Sequence, residues 1–221
     1  MRSPRETSGR LATAILSAVL VFGLAPAQQR KLPPDYEKKR AAIAGFEAGV
    51  IPLFVLGDLN EDGRVDEQDL KLLRAYAAQK SAAGISCLAA ADLDENRVID
   101  EKDAAILEQI LKQGEVAAPA LSSRAGMGCD YKNFFIAARP GAPTGGTVPI
   151  HFLDPRFNTQ NSSVSVVAGP ATVSKQGDEF LVFVTGRGSA APNTTVTVAI
   201  TLPGPRKYFY TFLVFPQPGV R

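Results

Sequence analysis

The chain has 221 residues, of which 45% are hydrophobic and 21% charged, the make-up of a soluble globular protein of one or two domains. Its 24 basic and 22 acidic residues nearly balance, and the basic ones form no clustered stripe, which excludes nucleic-acid binding driven by charge. With one histidine and two cysteines there is no zinc centre of the usual Cys/His kind, and no HExxH pattern is present.

In chain order, Arg2, Arg5 and Arg10 precede an uncharged run from Leu11 to Leu24, and Ala25-Pro26-Ala27 follows as a peptidase-compatible end. This predicts a signal peptide over residues 1–27 and a secreted or cell-surface protein. The run is shorter than the roughly 20 apolar residues that span a bilayer, so no membrane span is expected after cleavage. Cleavage would take three arginines and Glu6 from the 24 basic and 22 acidic residues, leaving the two equal.

Residues 28–52 read as a lead-in, with a helix over Tyr36–Ala48 and an extended, β-branched stretch over Val50–Val55. From residue 53 the chain repeats itself at an offset of 34 residues: LGDLNEDGRVDEQDLKLLRAYAAQ aligns with AADLDENRVIDEKDAAILEQILKQ. Asp58 meets Asp92, Glu61 meets Glu95, Val65 meets Ile99, Asp66 meets Asp100, Asp69 meets Asp103 and Leu73 meets Leu107. Matches concentrated in an acidic loop and continuing at helical spacing describe a loop-plus-helix unit, present twice.

Calcium takes six to eight oxygens, and a short loop supplies them when acids or amides recur at every second position. In the first loop Asp58, Asn60 and Asp62 hold positions 1, 3 and 5, Gly63 makes the turn, and Arg64 offers its carbonyl at position 7. Asp66 and Asp69 complete the set at positions 9 and 12. In the second loop the same places fall to Asp92, Asp94, Asn96, the Val98 carbonyl, Asp100 and Asp103. Val65 and Ile99, at position 8, are expected to point inward and pair the two loops backbone to backbone. Arg97 stands where the glycine belongs. If the turn requires a positive φ, a non-glycine there costs about 1 kcal/mol, so two Ca²⁺ sites are expected with the second weaker. Each loop gathers four aspartates, whose mutual repulsion without a cation would keep the segment loose.

At these residues residues 53–114 resemble a dockerin module of type I, a tandem of D-x-N-x-D-G-x-V-x-x-x-D loops each followed by a leucine-bearing helix, as in DLNEDGRVDEQDLKLL. The resemblance implies calcium binding and docking onto a cohesin-like protein, in the family's usual setting of extracellular polysaccharide breakdown. It also implies partner contacts at loop positions 10 and 11, here Glu67 and Gln68, then Glu101 and Lys102, with Arg74 nearby. The hydroxyl pair common at those positions is absent, and docking within the chain itself is the other option for the partner.

Residues 115–130, rich in Ala, Ser and Gly, read as a linker. Cys87, in the second repeat, and Cys129, at the end of this stretch, either pair in an oxidising compartment or stay as two thiols, and a disulfide closing such a loop is worth about 4 kcal/mol. Over residues 131–221 the period becomes two. Strands are predicted at Phe134–Ala138, Val148–Leu153, Val164–Val167, Ala171–Ser174, Phe180–Thr185, Thr194–Leu202 and Tyr208–Phe215, separated by Pro/Gly turns. Seven short strands suggest a β-sandwich, similar in strand pattern to bacterial immunoglobulin-like modules. The expected fold is thus a multi-domain α plus all-β protein, a small helical calcium-loop pair followed by an antiparallel β-sandwich.

Signs of catalysis are sparse. His151 lies in VPIHFLD, where alternation makes it a strand residue, and no G-x-S-x-G accompanies it. The sandwich offers few acids, Asp154, Asp178 and Glu179, and Tyr208, Phe209 and Tyr210 read as strand residues split between core and surface. The expectation is a non-catalytic attachment or scaffold protein; the alternative is an accessory or enzymatic component of extracellular polysaccharide degradation.

Overall fold

The computed structural model describes residues 35, 38, 39, 41, 49–113, 119–123, 128–185, 194–204 and 206–216. The predicted signal peptide and most of the predicted helix over Tyr36–Ala48 lie outside them. Among the described residues no helix is long and apolar enough to cross a membrane.

A helical pair and a β-sandwich make up the fold. The pair consists of α1 (Glu67–Gln79) and α2 (Glu101–Lys112), each starting directly after one acidic loop. Position 9 of each loop, Asp66 or Asp100, is the N-cap, and position 12, Asp69 or Asp103, reaches back to the cap in a reciprocal capping box. Thus the residues that close each loop also start its helix. Leu59, Leu70, Leu73, Ile85, Ala91, Ala104 and Leu107 fill the core between the helices, Leu73 and Leu107 being repeat equivalents. Arg74 and Glu108, also 34 residues apart, meet across this pair at 2.6 Å. Equivalent positions touching each other place the internal two-fold axis between α1 and α2.

The sandwich has one five-stranded sheet in the order β1 (Ile51–Pro52), β4 (Ile136–Ala138), β6 (Thr147–Phe152), β9 (Glu179–Val184) and β8 (Ala171–Gln176). The other is six-stranded: β2 (Phe54–Val55), β3 (Ala120–Ser122), β11 (Arg206–Phe215), β10 (Thr195–Leu202) and β7 (Ser163–Ala168), with β5 (Gly141–Pro143) also on β11. Alternation does what it should. In β11, Tyr208, Tyr210, Phe212 and Val214 are buried, while Lys207, Thr211, Leu213 and Phe215 face out. The buried residues join Val148, Ile150, Val182, Val184, Val196, Val198 and Ile200 in one core. The chain crosses from one sheet to the other at Gly169-Pro170 between β7 and β8. Gly169 has φ +92, and a Cβ there would fall 2.3 Å from the Thr195 carbonyl oxygen, so only glycine fits.

All seven predicted strands are present with ends shifted by a few residues. Two features differ from the expectation of a purely antiparallel sandwich reached through a linker. First, β3 and β5 pair with β11 in parallel, at Phe209↔Ala120 and Leu213↔Gly141. Second, residues 115–130 are not a free tether: Ala120–Ser122 is a strand with buried Leu121 and Ser122, antiparallel to β2. Because β2 and β3 pair at Val55↔Leu121, the helical pair leaves and re-enters the sandwich at adjacent strands. It is an insertion in the sandwich rather than a module strung before it.

Candidate metal centre

The two acidic loops repeat the same set of four backbone-to-aspartate bonds, to which the first adds one from Asp62 N–H to Asp58 Oδ1 at 3.1 Å. Leu59 and Leu93 N–H both donate to Oδ1 of the position-12 aspartate, Asp69 or Asp103, at 2.8 Å. The next residue, Asn60 or Asp94, donates to the same oxygen at 3.3 and 3.4 Å. Gly63 and Arg97 N–H donate to Oδ2 of Asp58 and Asp92, both at 3.0 Å. Asp66 and Asp100 N–H reach the second oxygen of Asp69 and Asp103 at 3.0 and 2.9 Å. Two stretches of different sequence reproduce the same bonds because the bonds are carried by the aspartates and the backbone.

These aspartates converge. Asp92, Asp94 and Asp103 each present a carboxylate oxygen within 4.8 Å of the others. In the first loop burial raises the Asp58 pKa to about 7, and repulsion from Asp69 and then Asp62 adds to it. Asp69, fully buried, is also raised, chiefly by burial and against the pull of its three N–H donors. Buried carboxylates that crowd one another form a hard-oxygen donor set for a divalent cation. The residues present therefore fit calcium: Asp58, Asn60, Asp62, the Arg64 carbonyl, Asp66 and Asp69 in one loop, and Asp92, Asp94, Asn96, the Val98 carbonyl, Asp100 and Asp103 in the other.

Gly63 has φ +88 and Arg97 φ +73, so the turn does require the left-handed region and the arginine adopts it. Val65 and Ile99 depart from expectation. Neither lies in a strand; their side chains pack against the helical core, and the Ile99 carbonyl accepts from Lys80 Nζ at 2.7 Å. Val65 also packs against the sandwich core and so spans both.

Of the expected docking residues, Glu67, Gln68, Glu101 and Lys102 are exposed at the helix starts. Arg74 is exposed but held by Glu108, whose carboxyl is lowered by Lys112 first and Arg74 next. Cys87 and Cys129 form a disulfide. On the sandwich, His151 is buried with Nδ1 2.9 Å from Glu179 on the neighbouring strand, and Asp154 is lowered by its bidentate contact with Arg156. Tyr208 and Tyr210 are buried and Phe209 half-buried, the split expected of a strand.

Sequence reasoning missed Glu61. At loop position 4 it has φ +55, as its equivalent Glu95 has φ +57. Its side chain is buried and accepts the Tyr131 and Lys132 N–H groups, each at 3.0 Å. The matched glutamates in the repeat were the only available signal, and nothing in residues 131–133 marks them as partners.

With this geometry in hand, residues 56–112 match the family model of the dockerin type I domain. Dockerin type I domains bind calcium and dock onto other proteins, generally cohesins. No curated protein and no solved structure shows a significant match to the chain.

Proposed function

We propose that this chain is an exported, non-catalytic, calcium-binding attachment protein, whose dockerin module docks onto a cohesin-like partner and holds the β-sandwich there. The observation that carries the reading is the recurrence of four equivalent backbone-to-aspartate bonds in both loops around converging aspartates. On this reading the protein takes two Ca²⁺ ions, and the loop with Arg97 binds the weaker.

Docking by the helix starts is supported by the exposure of Glu67, Gln68, Glu101 and Lys102. A non-catalytic sandwich is supported by the engagement of His151 with Glu179 and of Asp154 with Arg156 in ion pairs. Export is supported by the basic and apolar pattern of residues 1–27.

Calorimetric titration of the chain lacking residues 1–27 tests the metal, and binding to an immobilised type I cohesin in calcium and in chelator tests the docking. Two ions per chain and chelator-sensitive capture are expected. No ion bound would end the whole reading; two ions with no cohesin capture would end the docking part alone.

A further inference from the structure

The two loops agree inside but not outside. Glu61 and Glu95 occupy the same position with the same left-handed backbone, yet Glu61 is buried and Glu95 exposed. The difference is the segment just before β4. It grips Glu61 at both ends: Tyr131 and Lys132 N–H donate to the carboxylate, and the Asn133 side-chain amide donates to the Glu61 carbonyl.

That gripping segment is itself tied to the loop by a second route. Ser86 and Cys87 N–H both donate to the Leu59 carbonyl, at 2.7 and 2.9 Å. Asp130 N–H donates to the Ser86 carbonyl at 2.8 Å, Leu88 N–H to that of Gly128 at 3.0 Å, and the disulfide joins Cys87 to Cys129 between them. Running from Leu59 through Ser86 and Asp130 to Tyr131 and back to Glu61, these bonds close a ring. The ring holds the stretch between Asp58 and Asp62, which carries three of the candidate ligands. In the second loop, Asp94 to Val98 are all exposed.

We propose that the first calcium loop is a calcium-dependent latch between the helical pair and the sandwich. The ion in the Asp58 loop and the grip of residues 131–133 on Glu61 favour one another, whereas the Asp92 loop binds its ion independently of the sandwich. This rests on the calcium reading above. Both loops hold their position-4 glutamate in a left-handed conformation that is costly for a non-glycine, and at Glu61 the bonds from residues 131–133 offset that cost. The grip fixes that conformation in advance, and the ion fixes it in return. Such coupling is reciprocal by necessity.

The test uses the chain lacking residues 1–27, titrated with Ca²⁺ by calorimetry in an Asp103→Ala background and in an Asp69→Ala background, so that each site is read alone. Glu61→Gln should weaken the first site by about tenfold, within the usual range of coupling, and leave the second within about twofold. Glu95→Gln should leave both within about twofold. Asn133→Ala, which alters the sandwich side of the grip and no loop residue, should repeat the Glu61→Gln result and serves if that variant does not fold. In the parent chain, calcium should slow amide exchange at Tyr131 and Lys132 by about tenfold or more. Equal weakening of both sites, or a first site unmoved by Asn133→Ala, or exchange at Tyr131 and Lys132 indifferent to calcium, overturns the latch while two bound ions leave the calcium reading standing. A parent chain that binds no ion overturns both.

Discussion

Asp69 and Asp103 carry the greatest structural weight among single residues. Each is fully buried, takes three backbone N–H groups and closes its helix's capping box. Asp69→Ala should abolish ion binding in its loop and also leave buried donors without acceptors, at a cost of about 2–3 kcal/mol. Chemical denaturation in chelator isolates that second part, because no ion contributes there; an unchanged midpoint would show the hydrogen bonds to be unimportant. Arg97→Gly works in the opposite direction. With φ +73 the arginine is strained, and glycine relieves the strain at some entropic cost, for a net gain of about 0.5–1 kcal/mol. Denaturation in calcium checks it, with tighter binding at the second loop as the companion result. At this scale the sequence was legible where residue type and role coincide. Aspartate at alternate positions, and glycine replaced by arginine, each point to their function. Glutamate at position 4 points to nothing, since the left-handed backbone at Glu61 and Glu95 is imposed by the loop and not preferred by the residue.

Within the first loop-plus-helix element, buried carboxylates set the pH response. Without the ion, burial and neighbouring aspartates hold Asp58 at about 7, against an ordinary value of 3.8. The folded, ion-free protein therefore binds more protons than the unfolded chain between those values. The contribution of Asp58 to stability is greatest below the lower one and falls as pH rises towards the upper, then levels. Calcium needs the carboxylates ionised, so its binding displaces protons below about pH 7 and displaces almost none above about pH 8. Calorimetry in buffers of different ionisation enthalpy measures this release directly; a release that does not shrink with rising pH would contradict the burial of Asp58. Strands were legible for a similar reason of pattern. Val, Ile, Phe and Tyr at every second place in β10 and β11 signal a half-buried sheet, whereas β3 and β5, three residues each of Ala, Leu, Ser, Gly or Pro, carry no alternation to detect. Their parallel pairing with β11 depends on where distant segments come together, which no local pattern encodes.

At the scale of the whole molecule, the insertion decides how the parts fail. The helical pair and the sandwich have separate cores that meet through Val65, and they share the Phe54, Cys87, Ala90 and Cys129 cluster. The disulfide closes a separation of 42 residues that includes the whole second loop and α2, a constraint worth about 4 kcal/mol by loop entropy. Calcium and the disulfide thus restrain the same segment by different means. In chelator with the disulfide intact, amide exchange should quicken across residues 56–113 while β10 and β11 stay protected, because their hydrogen bonds and core are independent of the loops. In calcium, the Cys87→Ser, Cys129→Ser double variant should keep its fold, with the helical pair less stable by about 2–4 kcal/mol. With both restraints removed, the carboxylates repel, the loop entropy returns, and the helical pair should melt separately from the sandwich. Thermal unfolding followed by exchange at Leu73 and at Tyr210 resolves the two events. One cooperative transition in the doubly released protein would mean that the two cores are not separable, and that the sandwich depends on its insertion as much as the insertion depends on it.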